Sequence, residues 1–218
     1  MTALVRYTVA NVLLSQRYLP PVLVFFALMA VFTAADGGPL GPDYAVSAAA
    51  VFICGTWLTI ATVNAEDPTQ RTITVVTAGG SGRVLTASAV VASGGIALLG
   101  VVGLLYPLTT GQHDIGPTVL ILGLLAELTG AGMGVAVGLL CSRLVIHRIG
   151  WSVLVALTAI LGFLLVPGLP PVHPVFVLLA GDRPLHEDMA PVAGFAALSV
   201  ALAVGATLVT RFVALRRD

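Results

Sequence analysis

Six apolar runs divide this chain, at roughly residues 18–35, 44–63, 84–106, 117–141, 151–167 and 190–210. As a helix each is about long enough to cross a ~30 Å hydrocarbon layer, at ~1.5 Å of rise per residue. The pattern predicts an all-α integral membrane protein with six transmembrane helices. No polar connection exceeds about 24 residues, so residues 1–218 read as a single membrane domain without a soluble one.

Three polar or broken stretches predict smaller elements. Residues 1–17 carry Arg6 and Arg17 eleven positions apart, on one helix face, and suggest an interfacial helix before the first span. Pro20 and Pro21 then suit a helix start, where a missing N–H is tolerated. Between spans 2 and 3, residues 64–83 hold a helix-start signature: Asp67 as N-cap, Pro68 at the first position and Gln70 three residues after the cap. Gly79-Gly80 ends it, which places a helix over Pro68–Ala78. The β-branched run from Thr72 to Thr77 opposes helix, so packing against a partner would have to hold it. Between spans 5 and 6, residues 168–189 contain Pro170, Pro171 and Pro174 and then Val175 to Leu179. That stretch is too short to cross a bilayer and apolar enough to dip into one, which predicts a re-entrant or interfacial helix.

Charge orients the map. Nine of the ten arginines fall on one side of the six spans, Arg183 alone on the other, and the chain has no lysine. The opposite connections carry Asp36, Asp43, Asp114, Asp182, Glu187 and Asp188. By the positive-inside rule both termini are expected in the cytoplasm, with the basic face against anionic lipid headgroups. Apolar residues make up 58% and charged residues 9% of the chain, and the mean hydropathy is +1.04, outside the soluble range. The heavy use of Ala, Val, Gly and Arg points to a GC-rich bacterial genome and hence a bacterial inner membrane. No basic cluster interleaved with aromatics suggests nucleic acid. Cys54 and Cys141 fall within apolar spans and read as small buried hydrophobes rather than a disulfide. The first apolar run follows 17 mixed residues with no clear cleavage site, so no signal peptide is expected.

Candidate chemistry is sparse. A Walker A loop needs a lysine, so any ATP would be hydrolysed by a partner chain. Glu127 is the one acid well inside a span, and such a group should face protein or water. Gly130, Gly134 and Gly138 follow it at small-residue packing spacing, Gly134 and Gly138 within about 20° of it around the helix. Two readings stand side by side: a substrate contact or conformational latch, or a glutamate that fixes helix packing. Thr56, Thr59, Thr62 and Asn64 recur near helical spacing with Trp57 and could line a substrate path. The commoner alternative is that the threonines bond their own helix carbonyls. His113, His173 and His186 lie near acids, without metal-site spacing, and His147 sits between Arg143 and Arg148. A metal is therefore not expected. The nucleophile elbow is absent, since Gly79-Gly80-Ser81-Gly82 has the wrong spacing. Glu66, Asp67 and Asp218 form no metal-binding repeat.

This layout resembles the membrane subunit of an ABC-2 type ABC transporter, over nearly the whole chain. In that family a cytoplasmic elbow helix precedes six spans. Span 2 ends at an acid before a short coupling helix, and a small-residue turn with an arginine opens span 3. Glu66, residues 67–78 and residues 79–83 stand in those places, and residues 167–185 match a proline-bearing re-entrant hairpin. The resemblance implies that Glu66, Asp67, Pro68, Thr69, Gln70, Arg71 and Thr72 couple the chain to a partner ATPase present in two copies. It also implies a second six-span chain, identical or different, ATP and Mg on the partner, and export of a drug, lipid or peptide along a path lined by spans 1, 2 and 5. The coupling segment departs from the family in being β-branched and poor in charge, and the chain is small. Its size equally suits the haem-exporter B subunits of cytochrome c maturation. The contrasting reading is an integral-membrane enzyme outside the ABC group or a structural membrane subunit.

Overall fold

The polar punctuation sets the helix ends. The computed structural model describes residues 1–33, 39–109, 116–146, 148–181 and 188–216, with the side chains of residues 68 and 149 left out. Among the described residues there are nine helices and no strand: α1 Thr2–Ser15, α2 Leu19–Thr33, α3 Leu40–Val63, α4 Pro68–Ala78, α5 Ser81–Thr109, α6 Pro117–Leu140, α7 Ile149–Leu165, α8 Val172–Ala180 and α9 Met189–Leu215. Gln16, at φ 54°, stops α1 in a left-handed turn. The chain then bends by 72° into α2.

Of the six runs, α3, α5, α6 and α9 are long and apolar enough to cross a membrane, and the bent pair α1–α2 makes a fifth if counted as one span. By themselves α2, with 15 residues, and α7, with 17, are shorter. The chain is an all-helical protein with the character of a membrane-embedded one. Large apolar side chains such as Leu98, Val101, Val204 and Leu208 face outward on α5 and α9. A surface that apolar is costly in water and ordinary against lipid tails.

The bundle is built around α3 and α6. Their most extensive packing is with each other, followed by α6 against α9 and α3 against α5. Along the α3–α6 seam, Tyr44 meets Gly123, Ser47 meets Glu127, Ala48 meets Gly130, Gly55 meets Gly134 and Thr59 meets Gly138. Both sets of numbers rise together, so the helices run parallel in constant register over about four turns. Against α5 the numbers run opposite ways, with Ser47 near Gly103, Gly55 near Ile96 and Leu58 near Gly95, which makes that pair antiparallel. Apolar clusters fill the layers between helices: Phe25, Met29, Val51, Leu85 and Ile96 in one, Tyr44, Leu122, Val175 and Val192 in a second, Phe52, Met133, Val137 and Val172 in a third.

Candidate functional site

The first candidate region is α4, whose ends are fixed by local chemistry. Asp67 has extended backbone and its Oδ1 accepts the Thr69 N–H at 3.0 Å, with Pro68 at the first helical position. At the other end Gly79, φ 76°, and Gly80, φ 133°, turn the chain left-handed. The Gly80 N–H bonds the Val75 carbonyl at 2.9 Å and the Gly79 N–H bonds that of Val76 at 3.3 Å, the double closure of a Schellman motif. The β-branched run is helical all the same. Its hydroxyls turn back onto helix carbonyls, Thr74 to Gln70 at 3.0 Å and Thr77 to Ile73 at 3.0 Å. Replacing Asp67 with alanine should therefore cost about 1 kcal/mol of local helix stability. Faster hydrogen exchange over residues 69–72, with residues 75–78 little changed, is the expected reading.

Little of α4 is buried. Thr74 faces the bundle, while Ile73 is 63% and Val76 75% exposed. The helix is a ridge with a groove on either flank. One, of about 760 Å³, lies against α1 and includes Leu4, Tyr7, Ile73 and Thr77. There Gln70 donates to the Tyr7 hydroxyl at 2.8 Å. The other, of about 690 Å³, includes Arg71, Val75, Leu144 and Ala214. Thr72 is exposed on the ridge. Glu66 accepts from Thr74 at 3.4 Å and lines a smaller cavity of about 170 Å³ with Asn64, Arg71 and Arg143.

Arginines gather at this end. Arg17 Nη1 donates to the Asn64 carbonyl at 2.7 Å, and Arg83 Nη1 to the Ala78 carbonyl at 3.1 Å. Arg71 and Arg143 share the small cavity. Arg211 of α9 lies over Gly82 at the start of α5, its Nε 3.2 Å from where a Cβ would stand. The structure thus brings Glu66 and Arg71 together with Arg143, and Gln70 together with Arg83. Asp36, His113, Asp114, His147, Asp182, Arg183, His186, Glu187, Arg217 and Asp218 lie outside the described residues.

The second region is the junction of α3, α5 and α6. Glu127 is only 3% exposed, and Ser47 Oγ donates to its Oε1 at 2.5 Å. Its Oε2 is buried and has no hydrogen-bond partner among the described residues. The carboxyl fills the space left by Gly103 of α5, where an added Cβ would stand 2.8 Å from Oε1. Gly130, Gly134 and Gly138 continue the same face of α6 onto α3, as their spacing predicts. The polar residues of α3 do not line an open path here. Thr56 bonds the Phe52 carbonyl and Thr59 that of Gly55, each at 2.8 Å, and both are buried. Thr59 packs on Gly138, whereas Trp57 points away, 44% exposed. Ser47 and Gly103 were not legible as members of this site. Their closest signal is the pair of α5 glycines, Gly100 and Gly103, which both touch Glu127.

Among the described residues no group of three or more His, Cys, Asp or Glu could hold a metal. Cys54 and Cys141 are free and buried. Comparison with protein-family models, curated proteins and solved structures finds no match to this chain.

Proposed function

We propose that the chain is the membrane-spanning permease subunit of an ATP-driven exporter of the ABC-2 type, with α4 as the element on which a separate ATPase acts. The observation that carries this reading is α4 itself: a helix capped at both ends, set at the arginine-rich end of the bundle, with apolar residues exposed on its ridge. A helix with so little burial and such poor propensity contributes little to the stability of the bundle. A partner seated over Ile73 and Val76 would explain both properties.

In this reading α2, α3, α5, α6, α7 and α9 are the six spans, α1 is the elbow, and α8 belongs to a re-entrant hairpin on the far side. The arginine end faces the cytoplasm of a bacterial cell, in keeping with the charge rule. Two ATPase copies, holding ATP and Mg, serve two six-span chains. Their closure presses on α4, and the two-residue joint Gly79-Gly80 passes the push to α5 while residues 64–67 pass it to α3. The substrate is hydrophobic or amphipathic.

The test is capture of the tagged chain from its native host in mild detergent, with mass spectrometry of what co-purifies. A stoichiometric ATPase with a Walker lysine is the expected result. Val76→Glu should lower its recovery about tenfold or more, because an unpaired carboxylate at a buried contact costs at least ~1.4 kcal/mol. Absence of any ATPase, under conditions that preserve an established ABC complex, would return the chain to the class of structural subunits or membrane enzymes.

A further inference from the structure

Asn64 ties the end of α3 to the α1–α2 joint and to the segment just past α6. It is the C-cap of α3, and its own N–H closes on the Ile60 carbonyl at 3.0 Å. Its carbonyl is one of the acceptors that a helix end leaves without an intrahelical partner. Arg17, within the joint between α1 and α2, fills that vacancy with Nη1 at 2.7 Å, a cation placed where the helix dipole favours it. The Asn64 side chain does a second job: its Oδ1 accepts the backbone N–H of Arg143 at 3.2 Å, just past the end of α6. Four residues further along the chain, α4 begins.

We propose that Asn64 is a positioning residue that transmits movement of α4 along two separable hydrogen bonds, one to the α1–α2 joint and one to the end of α6. This rests on the permease reading and adds to it a route by which a push on α4 reaches the α1–α2 joint and the end of α6. The two bonds use different atoms. The carbonyl belongs to the backbone and survives any substitution, whereas Oδ1 belongs to the side chain. The cavity of about 170 Å³ beside it, lined by Glu66, Arg71 and Arg143, leaves room for this corner to shift. The end of α6 is the right target for such a link. Its seam with α3 runs in constant register up to Thr59 and Gly138, so a displacement there moves the helix as a unit.

The separation makes a sharp test, read by hydrogen–deuterium exchange of the full chain in lipid nanodiscs. Asn64→Ala removes only the acceptor for Arg143, and should speed exchange at residues 143–146 about fivefold, the effect of one hydrogen bond. Residues 16–22 should stay as in the parent. Arg17→Ala should show the reverse. Asn64→Asp keeps both acceptors and should restore residues 143–146. Unchanged exchange at 143–146 in Asn64→Ala, or loosening of both segments together, would overturn the assignment. In the complex with the ATPase, addition of ATP should alter exchange at the end of α6 in the parent and in Asn64→Asp but not in Asn64→Ala. A full ATP response in Asn64→Ala overturns the relay even if transport proves correct. If no ATPase can be captured, the permease reading falls. Exchange in the isolated chain then still reports whether the two bonds exist, which tells the two failures apart.

Discussion

Alanine at Gly130 is expected to destabilise the chain by about 3 kcal/mol, at the upper end of what overpacking a core costs, while alanine at Gly94 should leave stability unchanged or raise it by up to about 1 kcal/mol. The added methyl carbon at Gly130 lands on the backbone of Ala48, too close to the carbonyl oxygen and 3.1 Å from the carbonyl carbon. A flexible side chain could swing aside, but a helix backbone cannot. The two helices would have to part, and they are in register over the length of the seam. Separation at Gly130 therefore loosens Gly134, whose added Cβ would lie 3.2 Å from Gly55 backbone, and Gly138 on Thr59. Between membrane helices this close packing is much of what holds them, because lipid tails are as apolar as the side chains they replace. Gly94 has nothing within 4 Å of its added Cβ, and alanine there gains a little helix propensity. Reversible unfolding in mixed micelles, compared across both variants, gives the answer. Equal stability for the two would mean that the α3–α6 seam is not the structural axis of the bundle.

At Glu127, glutamine is expected to fold like the parent and alanine to lose about 2–4 kcal/mol, the range for deleting a buried long side chain. Glutamine keeps the volume beside Gly103 and a carbonyl oxygen to accept from Ser47. Alanine empties the junction of three helices, although Ser47 can still turn to a carbonyl of its own helix. The same pair separates the two readings of the acid. Glu127→Gln with unaltered transport would leave helix packing as its whole role. A folded Glu127→Gln whose transport falls about tenfold, a difference of ~1.4 kcal/mol, would assign the carboxyl a part in the working cycle. Thermal unfolding must accompany the transport assay, since alanine can lose activity merely by unfolding.

Local chemistry made α4 legible. Asp67, Pro68 and Gly79 lie within a dozen residues of one another, and each acts on its own turn of backbone, so the bounds Pro68–Ala78 follow from the sequence. Its helical state against a β-branched run did not follow, because hydroxyl bonds such as Thr74 to Gln70 decide between competing local conformations. The pairing of Glu127 with the glycine face of α6 was equally legible, since periodicity alone puts residues four and seven apart on one side. Periodicity left both readings of α3 open: Thr56 and Thr59 lie inward on α6 and bond their own helix carbonyls, the commoner alternative, while Trp57 lies outward. It also gave no hint of Asn64, which read as one more polar residue of a span.

What the sequence by itself determined was the apolar runs, their sorting by arginine, the caps of α4 and the inward face of α6. All of these depend on neighbours within a turn or two of helix, or on an average over one segment. Only the tertiary structure decided that α3 is the helix facing those glycines and that Gly103 makes room for Glu127. It alone brought Arg17 and Arg143 to the same Asn64. Those pairings join residues 47 and 79 positions apart, and nothing local fixes the register of one helix against another. That register comes from the fit of whole surfaces, glycine against backbone, which no short stretch of chain contains.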